Sequence, residues 1–208
     1  MKRRFLAKFI LITAAAVLCS NLIQYVWLSR TSGEQTAVTD QRVYENKDSI
    51  FTNYANGILN TYRFLLELGN GEYSSPNEVY LLLHGYLMGS GSEVDAYLAG
   101  LIRNMDGSEY HHELGNILDT NLHLQAMIYT LEVYFSDRSQ DPDFPDNWEK
   151  IKVLLTPISA QLSSGSSNDM TLYNITSYPQ DFAARSEYPG VMASLNKEIS
   201  EAMDLLEE

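Results

Sequence analysis

Two residue types that bind zinc and activate water stand side by side at His112 and Glu113, within the run HHELGN. On a helix, two histidines four positions apart share one face, where they hold a zinc ion while the glutamate activates a water molecule. Position 116 would carry the second histidine, and it is an asparagine. Because a neutral amide is a poor zinc ligand and a catalytic zinc normally takes three protein ligands, half of this chemistry is missing.

The run resembles the H-E-x-x-H helix of zinc metallopeptidases over five of the 208 residues. Glu132 is a third ligand on paper, but a site built with it would still lack its second histidine. At ~100° per residue, the polar residues form one helical stripe opposite the leucines: His112, Asn116, Asp119 and His123. This stripe predicts a solvated helix face, and a degenerate zinc hydrolase or a metal contact from Asp119 and His123 is the alternative.

Four aspartates lie in and beside a loop that contains two prolines: Asp137, Asp141, Asp143 and Asp146. Calcium sites need clustered oxygen ligands of this kind. An EF-hand register that starts at Asp141 fails, because it requires glycine at position 146 and glutamate at position 152, where the chain has Asp146 and Lys152. A turn followed by a helix N-cap at Asp146 explains the same residues.

Two further short motifs give weaker evidence about function. Ser194 and Lys197 fit the S-x-x-K pattern of penicillin-recognising serine enzymes, but the S-D-N and K-T-G companions of that pattern are missing. The sequence Asn174-Ile175-Thr176 is a glycosylation sequon, which has meaning only in a host that glycosylates. We therefore predict no catalytic residue, no metal ligand and no cofactor site, and expect a protein that is not an enzyme.

Tyrosine is unusually frequent, with 14 residues in the chain. Tyrosine suits protein interfaces and sugar stacking, because it is rigid and carries one polar tip. Five tyrosines fall at the edges of apolar stripes or in loops, where they indicate a binding face or, alternatively, ordinary half-buried core edges: Tyr73, Tyr80, Tyr110, Tyr134 and Tyr188.

The elements that would position these residues follow from apolar stripes with helical spacing. The first stripe is Tyr44, Phe51, Tyr54, Ile58, Tyr62, Leu65 and Leu66. The predicted helices cover about 41–68, 75–88, 92–106, 109–135, 146–162 and 189–206. The second begins with a capping box of Ser75, Pro76 and Glu78, and the third with Ser92 and Asp95. Together they predict an all-α bundle of about five or six helices.

The connections are less regular than the helices. Glycines at 69 and 71 are predicted to end the first helix in a left-handed conformation. Pro157 is predicted to kink the fifth helix or to begin a separate turn. Residues 163–169 are flexible by composition, and residues 170–188 could form a short strand or an irregular cover.

The N-terminal segment has a basic start at Lys2, Arg3, Arg4 and Lys8, followed by uncharged residues 9–28, which is about the ~20 residues of a membrane-spanning helix. A retained anchor accounts for Tyr25 and Trp27 at its far end, where aromatic residues favour the membrane interface. Cleavage of a signal peptide after Ala16 is an alternative. Lipid attachment at Cys19 is a third, but Leu18 stands where a small residue is needed.

Charge separates the two parts of the chain. Residues 1–30 carry five bases and no acid, whereas residues 31–208 carry the other nine bases and all 27 acids, a net charge of −18. A body this acidic repels nucleic-acid phosphates, so nucleic-acid binding is not expected. Cys19 is the single cysteine, which excludes disulfides and thiolate metal sites from the body.

These observations predict an anchor over residues 1–28, a polar tether over 29–40 and a helical domain over 41–208. Because the basic start stays in the cytoplasm, the body is expected on the extracytoplasmic side of a cell membrane, joined to the bilayer through residues 9–28. The predicted function is a non-enzymatic interaction or accessory module of a bacterial cell-envelope complex, with a protein partner. A small-ligand-binding or sensory helical domain is the alternative.

Overall fold

Helices are the only regular elements in the part of the chain that the computed structural model describes, namely residues 47–89, 98–102 and 111–207. This confirms the all-α prediction for these residues. The elements are α1 (Lys47–Asn70), α2 (Pro76–Gly89), α3 (His111–Asp137), α4 (Trp148–Leu162), α5 (Leu172–Ser177), α6 (Pro179–Phe182) and α7 (Tyr188–Glu207). Residues 98–102 form a further short helical stretch.

α3 packs against α2 and α7, and α4 contacts both α1 and α7. α5 fits against α1 and makes smaller contacts with α3 and α4. Fully buried side chains from these helices form one apolar core, which includes Leu65, Leu68, Leu83, Leu124, Ile128, Phe135, Ile151, Leu155, Leu195 and Ile199. Removal of these apolar surfaces from water is the main favourable contribution to folding.

The inward face of α1 differs from the predicted stripe at its C-terminal end. Phe64 and Leu68 are buried there, while Leu66 is exposed and Tyr62 is half-buried. Phe64, Leu65 and Leu66 are consecutive apolar residues, so periodicity alone does not choose between faces that differ by ~100°. The Tyr86 ring of α2 decides the orientation, because it stacks on Phe64 at 4.0 Å.

The end of α1 uses glycine for space and not for a left-handed conformation. Among the described glycines only Gly165 has a positive φ, of 44°, so the predicted left-handed cap at residues 69–71 is wrong. A Cβ at Gly71 would collide with the Tyr73 hydroxyl. The Tyr73 ring folds over this position and its hydroxyl donates a hydrogen bond of 3.0 Å to the Glu67 carbonyl, which closes the helix end.

Asn147, and not Asp146, precedes the first residue of α4, so the predicted Asp146 cap is wrong. The Asn147 side chain makes no capping bond. It accepts a hydrogen bond of 2.8 Å from the Tyr134 hydroxyl and donates one to the Leu205 carbonyl, which joins α3 to α7. α4 then continues through Pro157 to Leu162, so no separate turn forms at the proline.

The serine-rich loop after α4 has defined geometry, although its composition predicts flexibility. Its turn at Gly165 is closed by Asp169, whose Oδ2 accepts the Ser166 backbone N–H at 2.6 Å. The following residues form the short helices α5 and α6, in place of the predicted strand or irregular cover. Thr171 caps α5 by accepting the Asn174 backbone N–H at 3.3 Å.

Several predicted features lie outside the described residues: the anchor and tether at 1–40, Tyr44, the Ser92 cap, most of the third helix and Tyr110. Within 98–102, Leu98 and Leu101 of that helix are fully buried. The described residues all belong to one unit, which spans Asn46–Glu208. Among them, no helix combines the length and apolar character needed to cross a membrane.

Candidate functional site

The zinc-like run does not gather the ligands that the sequence offers. His112 is exposed, and its Nε2 lies 3.5 Å from the Asn116 amide. Glu132 stands twenty residues further along the same helix, which places it about 30 Å from His112 at 1.5 Å per residue. It therefore cannot complete a site with His112. Glu132 instead pairs with His84 of α2, with Nδ1 and Oε1 3.0 Å apart.

The predicted solvated stripe of α3 is only partly solvated. His112 and Asp119 are exposed, but Asn116 and His123 are half-buried. His123 Nδ1 donates a hydrogen bond of 3.1 Å to the Asn196 side-chain oxygen of α7. The Asn196 amide in turn donates to the Thr120 hydroxyl at 2.8 Å. His123 Nδ1 is therefore engaged in a hydrogen bond between α3 and α7.

The four loop aspartates all point into solvent and are not drawn together. Across the described residues, no three histidine, cysteine or carboxylate side chains group closely enough to hold a metal ion. Ser194 lies 3.4 Å from Glu198, and Lys197 pairs with Glu201 at 3.2 Å. The S-x-x-K residues are thus each turned toward an acid and not toward one another.

The glycosylation sequon is closed in the folded chain. Asn174 is buried, and its amide donates hydrogen bonds to the carbonyls of Ser166 at 2.8 Å and Asp169 at 2.9 Å. The same amide nitrogen would have to carry the glycan. Asn174 is therefore a structural residue that fastens the serine-rich loop to α5.

Four of the five tyrosines that suggested a binding face lie in the described residues, and Tyr73 and Tyr80 are half-buried. Tyr134 and Tyr188 are buried. The Tyr188 hydroxyl donates a hydrogen bond of 2.9 Å to the Glu113 carbonyl, which ties α7 to α3. Burial, with a smaller contribution from the nearby Glu113 charge, raises the pKa of Tyr188 to about 12. Tyr73 packs near Trp148, and Tyr80 lies beside His84. Two of these tyrosines are thus core residues.

Large apolar side chains are exposed elsewhere, on neighbouring helices. We define the α2–α3 face as Leu81 and Met88 of α2 with Leu122, Tyr129 and Val133 of α3. Met88 is 78% exposed and Tyr129 is 61% exposed. The His84–Glu132 pair connects the two helices, and each partner lies within one turn of apolar members of the face. These residues lie off the buried stripes of their helices, so helical periodicity in the sequence does not distinguish them from other surface positions.

The α3 part of this face has the spacing of a coiled-coil seam. Leu122, Ala126, Tyr129 and Val133 are separated by four, three and four residues, and all four are exposed. This is the alternation of a and d positions that packs one helix against another. The core residues Leu124, Ile128 and Phe135 occupy the opposite side of α3. α3 therefore carries one apolar stripe for its own core and a second one that faces solvent.

The charges on the same helices are all of one sign. Neither α2, with 14 residues, nor α3, with 27, contains a lysine or arginine. Their acids are Glu78, Glu113, Asp119, Glu132 and Asp137. The next base along the chain, Arg138, lies over the ring of the buried Tyr134, with its guanidinium carbon 3.8 Å from the ring centroid. Asp119 and Asp137 are exposed near the two ends of the α3 part of the face, three residues before Leu122 and four after Val133, whereas Glu132 pairs with His84.

Comparison of the chain with protein-family models, with curated proteins and with solved structures finds no match.

Proposed function

We propose that this protein is a non-enzymatic interaction or accessory module of a cell-envelope complex, tethered to the membrane by residues 9–28 with its helical body on the extracytoplasmic side. The observation that supports it best is the α2–α3 face. Single exposed apolar residues are ordinary, but a grouped set on adjacent helices is typical of protein-interaction surfaces. Val153 of α4, at 70% exposure, is the ordinary kind and provides an internal comparison.

The membrane location in this proposal rests on the N-terminal pattern of the sequence. Its test is the mass of the mature protein isolated from membranes. A retained anchor gives the intact mass, signal cleavage removes the first 16 residues, and lipidation at Cys19 removes 18 and adds a diacylglycerol. Recovery of an intact chain from the soluble cytosolic fraction would contradict the proposed location.

The interaction itself is tested by photo-crosslinking in living cells of the source organism. A photoreactive p-benzoylphenylalanine replaces Tyr129 in one strain and Val153 in the matched control strain. We expect one discrete adduct from position 129, identified as a single chain by mass spectrometry, and none from position 153. Equal or diffuse labelling at the two positions would contradict an interaction role for the α2–α3 face.

A further inference from the structure

The α2–α3 face has a shape that selects for a helix. Its longest part, from Leu122 to Val133, covers twelve residues of α3, or about 16 Å for eleven steps of 1.5 Å. Side chains spaced four, three and four residues apart fit the holes of another helix, which repeats every 3.5 residues along a seam. An extended strand repeats every two residues and does not match this spacing.

The surround of the face selects for positive charge. If Leu122 and Tyr129 are d positions and Ala126 and Val133 are a positions, Glu132 falls at g, where it already pairs with His84. The exposed Asp137 falls at e, and charges at e and g set the choice of partner helix, so its negative charge favours a positive one. α2 and α3 supply no lysine or arginine to oppose it. A second copy of this chain would bring like charges together across the same surface, which disfavours self-association.

We propose that the α2–α3 face binds a cationic amphipathic helix of a partner chain, with the partner's apolar seam against Leu122, Tyr129 and Val133. Lysine or arginine residues beside that seam face Asp119 and Asp137, the exposed acids near its two ends. Leu81 and Met88 extend the apolar contact onto α2. The inference rests on the proposed function, because it specifies the chemistry of the partner that the interaction module would take.

The test measures binding of designed peptides to the full chain in phosphatidylcholine nanodiscs, with empty discs as the blank. The first peptide has three heptads with leucine at a and d and lysine at e and g. The second carries glutamate at e and g, and the third scrambles the order of the lysine peptide. Fluorescence anisotropy gives a Kd for each. We expect binding of the lysine peptide alone, weakened by added salt.

Variants locate the binding. The double variant Leu122→Ser, Tyr129→Ser should weaken the lysine peptide at least about tenfold, since central apolar contacts dominate such interfaces. Val153→Ser, an exposed apolar residue away from the face, should leave the Kd unchanged. Both variants alter exposed positions, so their circular-dichroism melting curves should match that of the parent chain.

Three results would overturn the inference: equal binding of the scrambled peptide, which indicates charge alone; equal binding of the glutamate peptide; or equal losses in the Val153→Ser and double variants. The crosslinking result separates this inference from the proposed function. An adduct at position 129 that maps to an acidic or strand-forming segment, or to a second copy of this chain, removes the cationic helix and keeps the interaction role. Absence of any specific adduct removes the interaction role.

Discussion

The two sides of α3 differ in how completely their residues are engaged. On the side of the core and α7, apolar residues are buried and polar ones are bonded: Thr120 to Asn196, His123 to Asn196, and the Glu113 carbonyl to Tyr188. On the side that faces solvent, Leu122, Tyr129 and Val133 remain exposed. The first side is specified by the fold of this chain. The second has the composition of a helix interface without a partner inside the described residues.

The largest expected effect comes from a matched pair of aromatic truncations on the two sides. Phe135→Ala should cost about 3–5 kcal/mol of unfolding free energy, because it opens a cavity where the ring meets Trp148 at 5.0 Å between centroids. Tyr129→Ala should change it by less than about 0.5 kcal/mol. Urea denaturation followed by circular dichroism measures both. A cost for Tyr129→Ala similar to that of Phe135→Ala would show that Tyr129 belongs to the core.

A smaller effect is expected from the polar bonds between α3 and α7. Asn196→Ala should lower the unfolding free energy by about 1–3 kcal/mol, because it leaves the buried Thr120 hydroxyl without its partner. The double variant Asn196→Ala, Thr120→Val removes both partners and should recover part of the loss. If the double variant is less stable than the sum of the single changes, the bond is not the reason for the effect.

The smallest expected effect on the unfolding free energy comes from removal of one buried hydroxyl, that of Tyr188. Its dependence on pH distinguishes it from removal of an exposed hydroxyl. Tyr188→Phe should cost about 1 kcal/mol below pH 10, by loss of one hydrogen bond. Because folding raises the pKa of Tyr188 from 10 to about 12, its stabilisation is complete below pH 10 and is lost as the pH rises through about 12. A rise of about two pKa units corresponds to about 2.7 kcal/mol, so the advantage of the parent chain over Tyr188→Phe should shrink above pH 10 and reverse before pH 12.

Tyr129→Phe, which removes a solvent-exposed hydroxyl from the other side of α3, is the control for this measurement. Unfolding free energies at a series of pH values provide the comparison. A difference for Tyr188→Phe that stays constant up to pH 12 would contradict the burial of the Tyr188 hydroxyl against Glu113.

Much of the architecture was predictable from the sequence, because long stripes with helical period dominate it. α3 and α7 begin and end within about two residues of the predicted ranges, and Pro76 begins α2 as predicted. The capping glutamate was also found, although Glu78 accepts the backbone N–H of Ser74 and not that of Ser75. Such local signals require no knowledge of what packs on the helix.

The parts that could not be predicted depend on contacts between distant residues. From sequence, Asn147 is an ordinary loop residue, and only the structure shows its hydrogen bonds to Tyr134 and Leu205. From sequence, Asn174 belongs to a sequon, and only the structure shows that its amide is bonded to the preceding loop. The α2–α3 face was not predicted for a related reason. The sequence does not show whether a leucine or tyrosine off the core stripe lies next to other exposed apolar residues, and only the three-dimensional structure does.

The closed sequon has a kinetic consequence. Because Asn174 gives its amide to two carbonyls once the loop has folded, an oligosaccharyltransferase can reach it only in a chain that has not yet made those bonds. If the protein is made in a eukaryotic secretory pathway, sugar occupancy at Asn174 therefore reports the rate of loop folding relative to the rate of glycosylation. It records how often the enzyme arrives before the segment from Ser166 to Asn174 closes.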